Sequence, residues 1–260
     1  MQNNTKIALI TGAAKRLGRA MAIAMAKEGW DVAIHYGSSK DAALQTVADI
    51  QATGRRGIAF QADLSEESEA STLIARCTEE FGLPTCLVNN ASLFQYDVAS
   101  SFSYAALDRH MRTNVAAPLI LARDLYRQHK KIAQAGAGPS GVIINLLDQK
   151  LANLNPDFLS YTLSKASLHS ATTLLAQSFA PILRVVGLAP GITLVSGDQT
   201  EDGFTKAHAM TPLGKSSTPD DIAAAVLYLA QAQAVTGTTL YVDGGQHLLP
   251  TDRDVMFLTE

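Results

Sequence analysis

Seven short apolar runs, each followed by a longer amphipathic or polar stretch, constrain this chain more than any other feature. The runs are IALIT (7–11), DVAIHY (31–36), GIAFQA (57–62), CLVNNA (86–91), GVIINLL (141–147), LRVVGLA (183–189) and TTLYVDG (238–244). A near-continuous apolar run of this length fits a strand buried on both faces of a parallel sheet. Helical periodicity fills most of the gaps, at Arg16–Glu28, Asp41–Thr53, Glu66–Phe81, Tyr104–Ala133, Ser160–Phe179 and Asp220–Ala232. The alternation predicts an α/β chain, with a doubly wound, seven-stranded, mostly parallel sheet and helices on both faces. It spans all 260 residues without a linker or repeat, so a single domain is expected. The glycine-rich AQAGAGPSG (133–141) is long enough only for a loop. Residues 192–217 break the rhythm. They are polar, irregular and long, and predict a mobile flap over a site.

Charge narrows the function classes. Lys and Arg number 21 against 24 Asp and Glu, a net of −3 with no basic run, which argues against nucleic acid or an anionic membrane as partner. No apolar run approaches the roughly 20 residues needed to span a bilayer. The start, MQNNTKIALITG, carries no signal-peptide core, and two cysteines make no disulfide framework, so a reduced, cytoplasmic setting is expected. The six histidines show neither helix-spaced pairs nor a nearby cysteine cluster, so no metal is expected.

The first run leads into LITGAAKRLGRAMAIAMAKEG, a strand–turn–helix form that offers free N–H groups to a pyrophosphate. Gly12 would make the tight turn and Gly18 would let the helix pack on the strand. The second strand ends AIHYGSSK, with His35, Tyr36, Ser38, Ser39 and Lys40 where an NAD site usually carries an acid. With Lys15 and Arg16 in the first turn, a 2′-phosphate would meet cations and hydroxyl donors. NADP(H) is therefore expected over NAD(H). QADLS (61–65) and VNNAS (88–92) end the third and fourth strands, placing Asp63 for an adenine amino group and Asn90, Ala91 and Ser92 for the ribose or nicotinamide.

Assembled, these residues resemble the short-chain dehydrogenase/reductases. The resemblance rests on TGAAKRLG, ADLS, NNAS, Asn114 in RTNVAAP, Tyr161 and Lys165 in YTLSK, APG (189–191) and TGTTLYVDGG (236–245), and covers nearly the whole chain. It implies a Rossmann sheet, nicotinamide hydride transfer and a homotetramer. It extends the cofactor set to Leu17, Ala62, Leu64, Pro190 and Gly191, gives Lys165 the nicotinamide ribose, and makes Asn114 a support for the lysine through a water. Tyr161 and Lys165 are four apart and share a helix face. An ammonium beside a phenol stabilises the phenolate, so Lys165 is expected to lower the Tyr161 pKa and fit it for proton transfer.

Asp148 departs from the family pattern. It stands thirteen residues before Tyr161, where the family usually has a serine that donates to a substrate carbonyl. An ionised carboxylate only accepts hydrogen bonds and would repel an oxyanion, so a substrate rich in N–H donors suits the site better than a simple ketone. Arg16 replaces a family glycine, Ser92 replaces another, and Phe94 can stack on a flat ring. Together these features resemble the pteridine reductases. That resemblance implies a substrate site of Arg16, Ser92, Phe94, Asp148 and Tyr161, and catalysis by Asp148, Tyr161, Lys165 and Asn114. The expected reaction is NADPH-dependent reduction of a dihydropterin C=N bond. The alternatives are a ketone or 3-oxoacyl reductase of the same fold and a non-catalytic NADP(H) sensor. The apolar Met256, Phe257 and Leu258 near the end of the chain are expected to dock on a neighbouring subunit or to pack on their own.

Overall fold

The apolar runs form the strands β1 (Ile7–Ile10), β2 (Asp31–Tyr36), β3 (Gly57–Gln61), β4 (Cys86–Asn89), β5 (Gly141–Leu146), β6 (Leu183–Pro190) and β7 (Thr239–Val242). The computed structural model describes residues 6–133, 140–195 and 199–258. The strands make one sheet in the order β3-β2-β1-β4-β5-β6-β7, and every pairing is parallel. The sheet alternates within each run. Ala8, Ile10, Val32 and Ile34 face one core, with Met21, Met25, Val226 and Leu229. Leu9, Ala33, Leu87 and Ile143 face the other, with Leu73, Ile74, Leu121 and Leu125. Both faces are covered, which is why the strands read as continuous apolar runs rather than as alternating ones.

Helices α1 (Arg16–Lys27), α2 (Lys40–Ala52) and α8 (Pro219–Gln231) supply the first cover, and α3 (Glu67–Glu80), α5 (Ala117–Ile132) and α6 (Leu159–Phe179) the second. β1 pairs with both β2 and β4, so the chain reverses its winding there. Such a switch point leaves a crevice at the carboxyl ends of the strands, where ligands bind in open parallel sheets.

A buried polar chain crosses this edge. Asn89 Nδ2 donates to Asn145 Oδ1 at 2.8 Å, Asn145 Nδ2 to Thr172 Oγ1 at 2.9 Å, and Thr172 Oγ1 to the Leu168 carbonyl at 2.8 Å. It links β4 and β5, in which Asn89 and Asn145 are register partners, to α6.

Two expectations need correction. The helix expected over Tyr104–Ala133 is α4 (Tyr104–Met111), a π-turn at Arg112–Ala116, and then α5. One wide turn adds a residue without ending the helix, and here it carries Asn114. The segment expected to be irregular, 192–217, contains α7 (Glu201–Ala209). Thr200 caps it by accepting from Gly203 N, Glu201 and Asp202 sit in its first turn, and Lys206 pairs with Asp202 at 2.7 Å. Capping and charge alignment with the helix dipole hold this element with little apolar burial. No helix among the described residues is long and apolar enough to cross a membrane.

Candidate active site

The turn after β1 is shaped by two glycines. Gly12 has φ +62, and a Cβ there would lie 2.9 Å from the Ala91 Cα. At Gly18 a Cβ would lie 2.5 Å from the Gly12 carbonyl oxygen and 2.7 Å from Asn90 Nδ2. Asn90 donates to the Thr11 and Gly12 carbonyls at 2.8 and 3.2 Å, which closes the turn against the end of β4. The amino end of α1 has no side-chain cap and no acid in its first turn, so its N–H groups and dipole face the crevice.

A cleft of about 440 Å³ opens over this turn. Gly12, Lys15, Arg16, Leu17, Gly18, His35, Ala62, Asp63, Leu64, Asn90, Ala91 and Ser92, all assigned to the cofactor from the sequence, line it. Gly37, Ser65 and Thr113 line it without having been predicted, whereas Tyr36, Ser38 and Ser39 are not among its lining residues. His35, expected among the cofactor-binding residues, has both ring nitrogens engaged within the protein. Its Nδ1 accepts from Gly12 N at 3.2 Å, which leaves Nε2 to donate to the Ala62 carbonyl at 2.9 Å. Burial also holds its pKa below the ordinary value. The ring is a neutral brace between β1 and β3 and has no free donor for a phosphate. Asp63 keeps its carboxyl below the usual range because Ser65 donates to it from both its hydroxyl and its backbone N–H.

A second cleft, of about 310 Å³, continues from the first and shares Arg16, Leu17, Asn90 and Ser92 with it. Here β5 and α6 bring their groups together. Asp148, two residues beyond β5, accepts from the Tyr161 phenol at 2.8 Å and from Lys150 N at 2.8 Å. Lys165, one turn after Tyr161, donates to the Leu146 carbonyl at 2.7 Å, with its ammonium 5.7 Å from the Tyr161 ring centre. Phe94, 41% exposed, meets Tyr161 edge-on at 4.7 Å and stacks on Phe158 at 4.3 Å. Pro190 and Gly191, which the resemblance assigns to the cofactor, line this second cleft and not the first. Asn114 lies behind it, bonded to the Leu93 backbone and to Ser164. Arg16, at φ +53, donates to the Val195 carbonyl at 2.8 Å, joining the nucleotide turn to the segment after β6.

Without cofactor, burial dominates the electrostatics of the three groups. Burial raises the Asp148 pKa, against the pull of its two hydrogen bonds. Burial and then the Asp148 charge push Tyr161 well above the ordinary phenol value. Burial brings Lys165 down to about 8. At Tyr161 burial and the Asp148 charge thus outweigh the downward pull of an ammonium at this distance. The Lys165 ammonium donates to a backbone carbonyl, and the nearer partner of the phenol is an acid. The phenol and the carboxyl share a hydrogen bond, so the two titrate as a coupled pair.

Sequence reasoning did not assign the last wall of the cleft, Gln246, Leu249, Thr251, Asp254, Val255 and Met256, to this site, and singled out only Met256 among them, as an apolar docking residue. The signal available was topological. β7 runs parallel to its neighbours, so the chain after it must leave from the ligand edge. Phe257 packs on Phe158 and Tyr96 of its own subunit.

The family model described as enoyl-(acyl carrier protein) reductase matches residues 12–247. FolM alternative dihydrofolate reductase 1 from Brucella canis, solved in complex with NADP, superposes with a TM-score of 0.86 at 34% identity over 96% of this chain and 97% of that one. An uncharacterised oxidoreductase of Methylorubrum extorquens is 34% identical over 92% of this chain and 97% of its own. The 3-oxoacyl-[acyl-carrier-protein] reductase FabG of Staphylococcus aureus is 30% identical over 94% and 99%. With its parallel sheet, glycine turn and Tyr161–Lys165 pair, the chain thus belongs to the short-chain dehydrogenase/reductase family of oxidoreductases.

Proposed function

We propose that this protein is an NADPH-dependent reductase of a dihydropterin C=N bond. The observation that carries the reading is the 2.8 Å bond from Tyr161 to Asp148 inside the cleft, with the Phe94 ring beside it. The FolM relatives bound to NADP support the cofactor and the substrate class.

The residues present fit a nicotinamide dinucleotide phosphate. The glycine cradle at Gly12 and Gly18 and the uncapped helix end suit the pyrophosphate. Lys15 lines the outer cleft, with Gly37 and no acid at the end of β2 among its lining residues, which suits a 2′-phosphate. Tyr161 and Lys165 would hold the nicotinamide ribose. When bound, the cofactor supplies a hydride.

The chain's own residues handle the substrate and the proton. Phe94 offers an exposed aromatic face to a flat ring. Asp148 accepts from the substrate's N–H groups. The Tyr161 phenol delivers its proton to the nitrogen of the reduced C=N bond, and its tie to Asp148 keeps it aimed there. Lys165, as an ammonium below pH about 8, offsets the negative charge that proton loss leaves on the pair. Asn114 braces the wall behind Ser164. The homotetramer implied by the family resemblance is part of this reading, and light scattering checks it.

A ketone substrate is the second reading. It is favoured by the raised Asp148 pKa, since a protonated carboxyl can donate to an oxyanion as a serine would. NADPH oxidation by the purified protein, offered dihydrobiopterin, dihydrofolate, acetoacetyl thioester and simple ketones, separates the two. Turnover on the pterins with little on the ketones is expected. Turnover on ketones alone overturns the pterin reading, and NADPH binding without turnover on any substrate points to a sensor.

A further inference from the structure

The segment after β7 returns across the substrate cleft, and one buried acid fastens it there. Asp157, from the loop before α6, has a side chain that is 1% exposed. Its carboxylate accepts from Arg253 Nε at 2.7 Å, from Asp254 N at 2.8 Å and from the Tyr96 hydroxyl at 3.3 Å. Its carbonyl accepts from Lys150 Nζ at 2.6 Å, and the same ammonium lies 3.4 Å from Asp254 Oδ2. Lys150 is itself tied by its backbone N–H to Asp148. An acid buried this deeply is costly unless its oxygens are matched, and here they are matched almost entirely by the strap and its neighbours.

The strap carries an aromatic side chain into the wall of the cleft. Phe257 lies 5.3 Å from Tyr96 and stacks with Phe158 at 6.0 Å, and Phe158 stacks in turn on Phe94. Tyr96 meets Phe158 edge-on at 5.1 Å. Phe158 sits at φ +57, a backbone region costly for an aromatic residue. One face of Phe94 is therefore backed by a ring that the strap supports from behind, while Asp254, Val255 and Met256 line the cleft directly.

We propose that Asp157 is a positioning residue for the substrate site. It latches the Arg253–Phe257 strap and, through the Phe257–Phe158 stack, seats the Phe94 ring. The link to substrate rests on the reductase reading above, whereas the latch itself does not.

Two measurements on Arg253→Gln, Asp157→Asn and the wild type test it. Arg253 is half exposed, so its substitution spares the fold if Asp157→Asn does not. Hydrogen exchange of the NADP+-saturated protein needs no turnover. Both variants are expected to exchange faster at residues 249–258 and also at 93–97, with the turn at 11–18 unchanged. Unchanged exchange at 93–97 overturns the latch. With dihydrobiopterin, KM is expected to rise about tenfold while kcat stays within about twofold and the NADPH Kd holds, with Arg253→Lys restoring part of the loss. An unchanged KM, or an equal loss in NADPH affinity, overturns the positioning role. If the wild type reduces no pterin, the substrate reading fails, and the exchange result alone decides the latch.

Discussion

The Tyr161 hydroxyl donates to Asp148 Oδ2 at 2.8 Å, in a cleft where the tyrosine is buried and the aspartate half-buried. This bond gives the phenol a direction as well as a partner. Replacing Asp148 with serine leaves a hydroxyl that both donates and accepts, and removes the acceptor for substrate N–H groups. Asp148→Ser is expected to lower kcat on a dihydropterin by about a hundredfold or more, the range of one acid–base group. The NADPH Kd should hold, and turnover on ketones should rise. Steady-state kinetics on both substrate classes, with fluorescence titration of NADPH, read this directly. Full pterin turnover by the variant would remove Asp148 from the mechanism.

Lys165 makes a second expectation depend on pH. Burial lowers its pKa from 10.5 to about 8, against an upward pull from Asp148. The folded protein thus gives up this proton at a lower pH than the unfolded chain. The cost of burying the charge is present in full below pH about 8 and is relieved between there and about 10.5, where the unfolded chain still holds the proton. Urea unfolding of the cofactor-free protein should show Lys165→Met to be more stable than wild type at pH 7. That advantage should shrink as pH rises through this window. Over the same range, kcat/KM for NADPH should fall in the wild type as the ammonium is lost.

Gly18 is held against its neighbours so closely that a methyl group has no room. With the Gly12 carbonyl oxygen 2.5 Å from where a Cβ would sit, Gly18→Ala must push α1 away from β1 and β4. A stability loss of about 1–3 kcal/mol is expected from overpacking. NADPH affinity should fall at least about tenfold, since the helix end shifts with it. Denaturant midpoints and NADPH titration check both, and an unaffected NADPH Kd would uncouple the turn from the cofactor.

Gly37 offers the converse experiment at the other end of the cofactor cleft. Nothing lies within 4 Å of a Cβ built there, and the residue lines the cleft. Gly37→Asp therefore introduces an acid at the end of β2 without a steric cost. Opposing a 2′-phosphate with one carboxylate is worth of order 1–4 kcal/mol, so the NADPH-to-NADH preference in kcat/KM should fall by at least about tenfold. An unchanged ratio would place the 2′-phosphate elsewhere.

The sheet was legible because strands buried on both faces cannot hide their apolar runs, and the span of β2 matches its run to the residue. The glycine turn was legible because its two glycines answer to sterics that any such turn imposes. What the sequence withheld depends on path and burial. The Arg253–Asp157 pair joins residues 96 apart, and no local pattern announces it. His35 reads as a group open to the cofactor at the end of a strand until both its ring nitrogens are seen to be engaged. The burial that raises Tyr161 and lowers Lys165, and the nearness of Asp148 to the phenol, appear in no spacing of the two residues along the helix. The helix α7 was missed because caps and charge pairs hold it with little apolar burial.

The amide chain from Asn89 through Asn145 to Thr172 has a consequence for how this edge of the sheet tolerates change. A slip of one residue between β4 and β5 would turn each amide toward an apolar face and strand both without partners. The strand that leads into Asn90 and Ser92 and the strand that leads into Asp148 are therefore clamped to each other and to the helix bearing Tyr161. Mutations on the outer faces of the helices can loosen packing, but the two banks of the groove keep their span, as the jaws of a fixed gauge do.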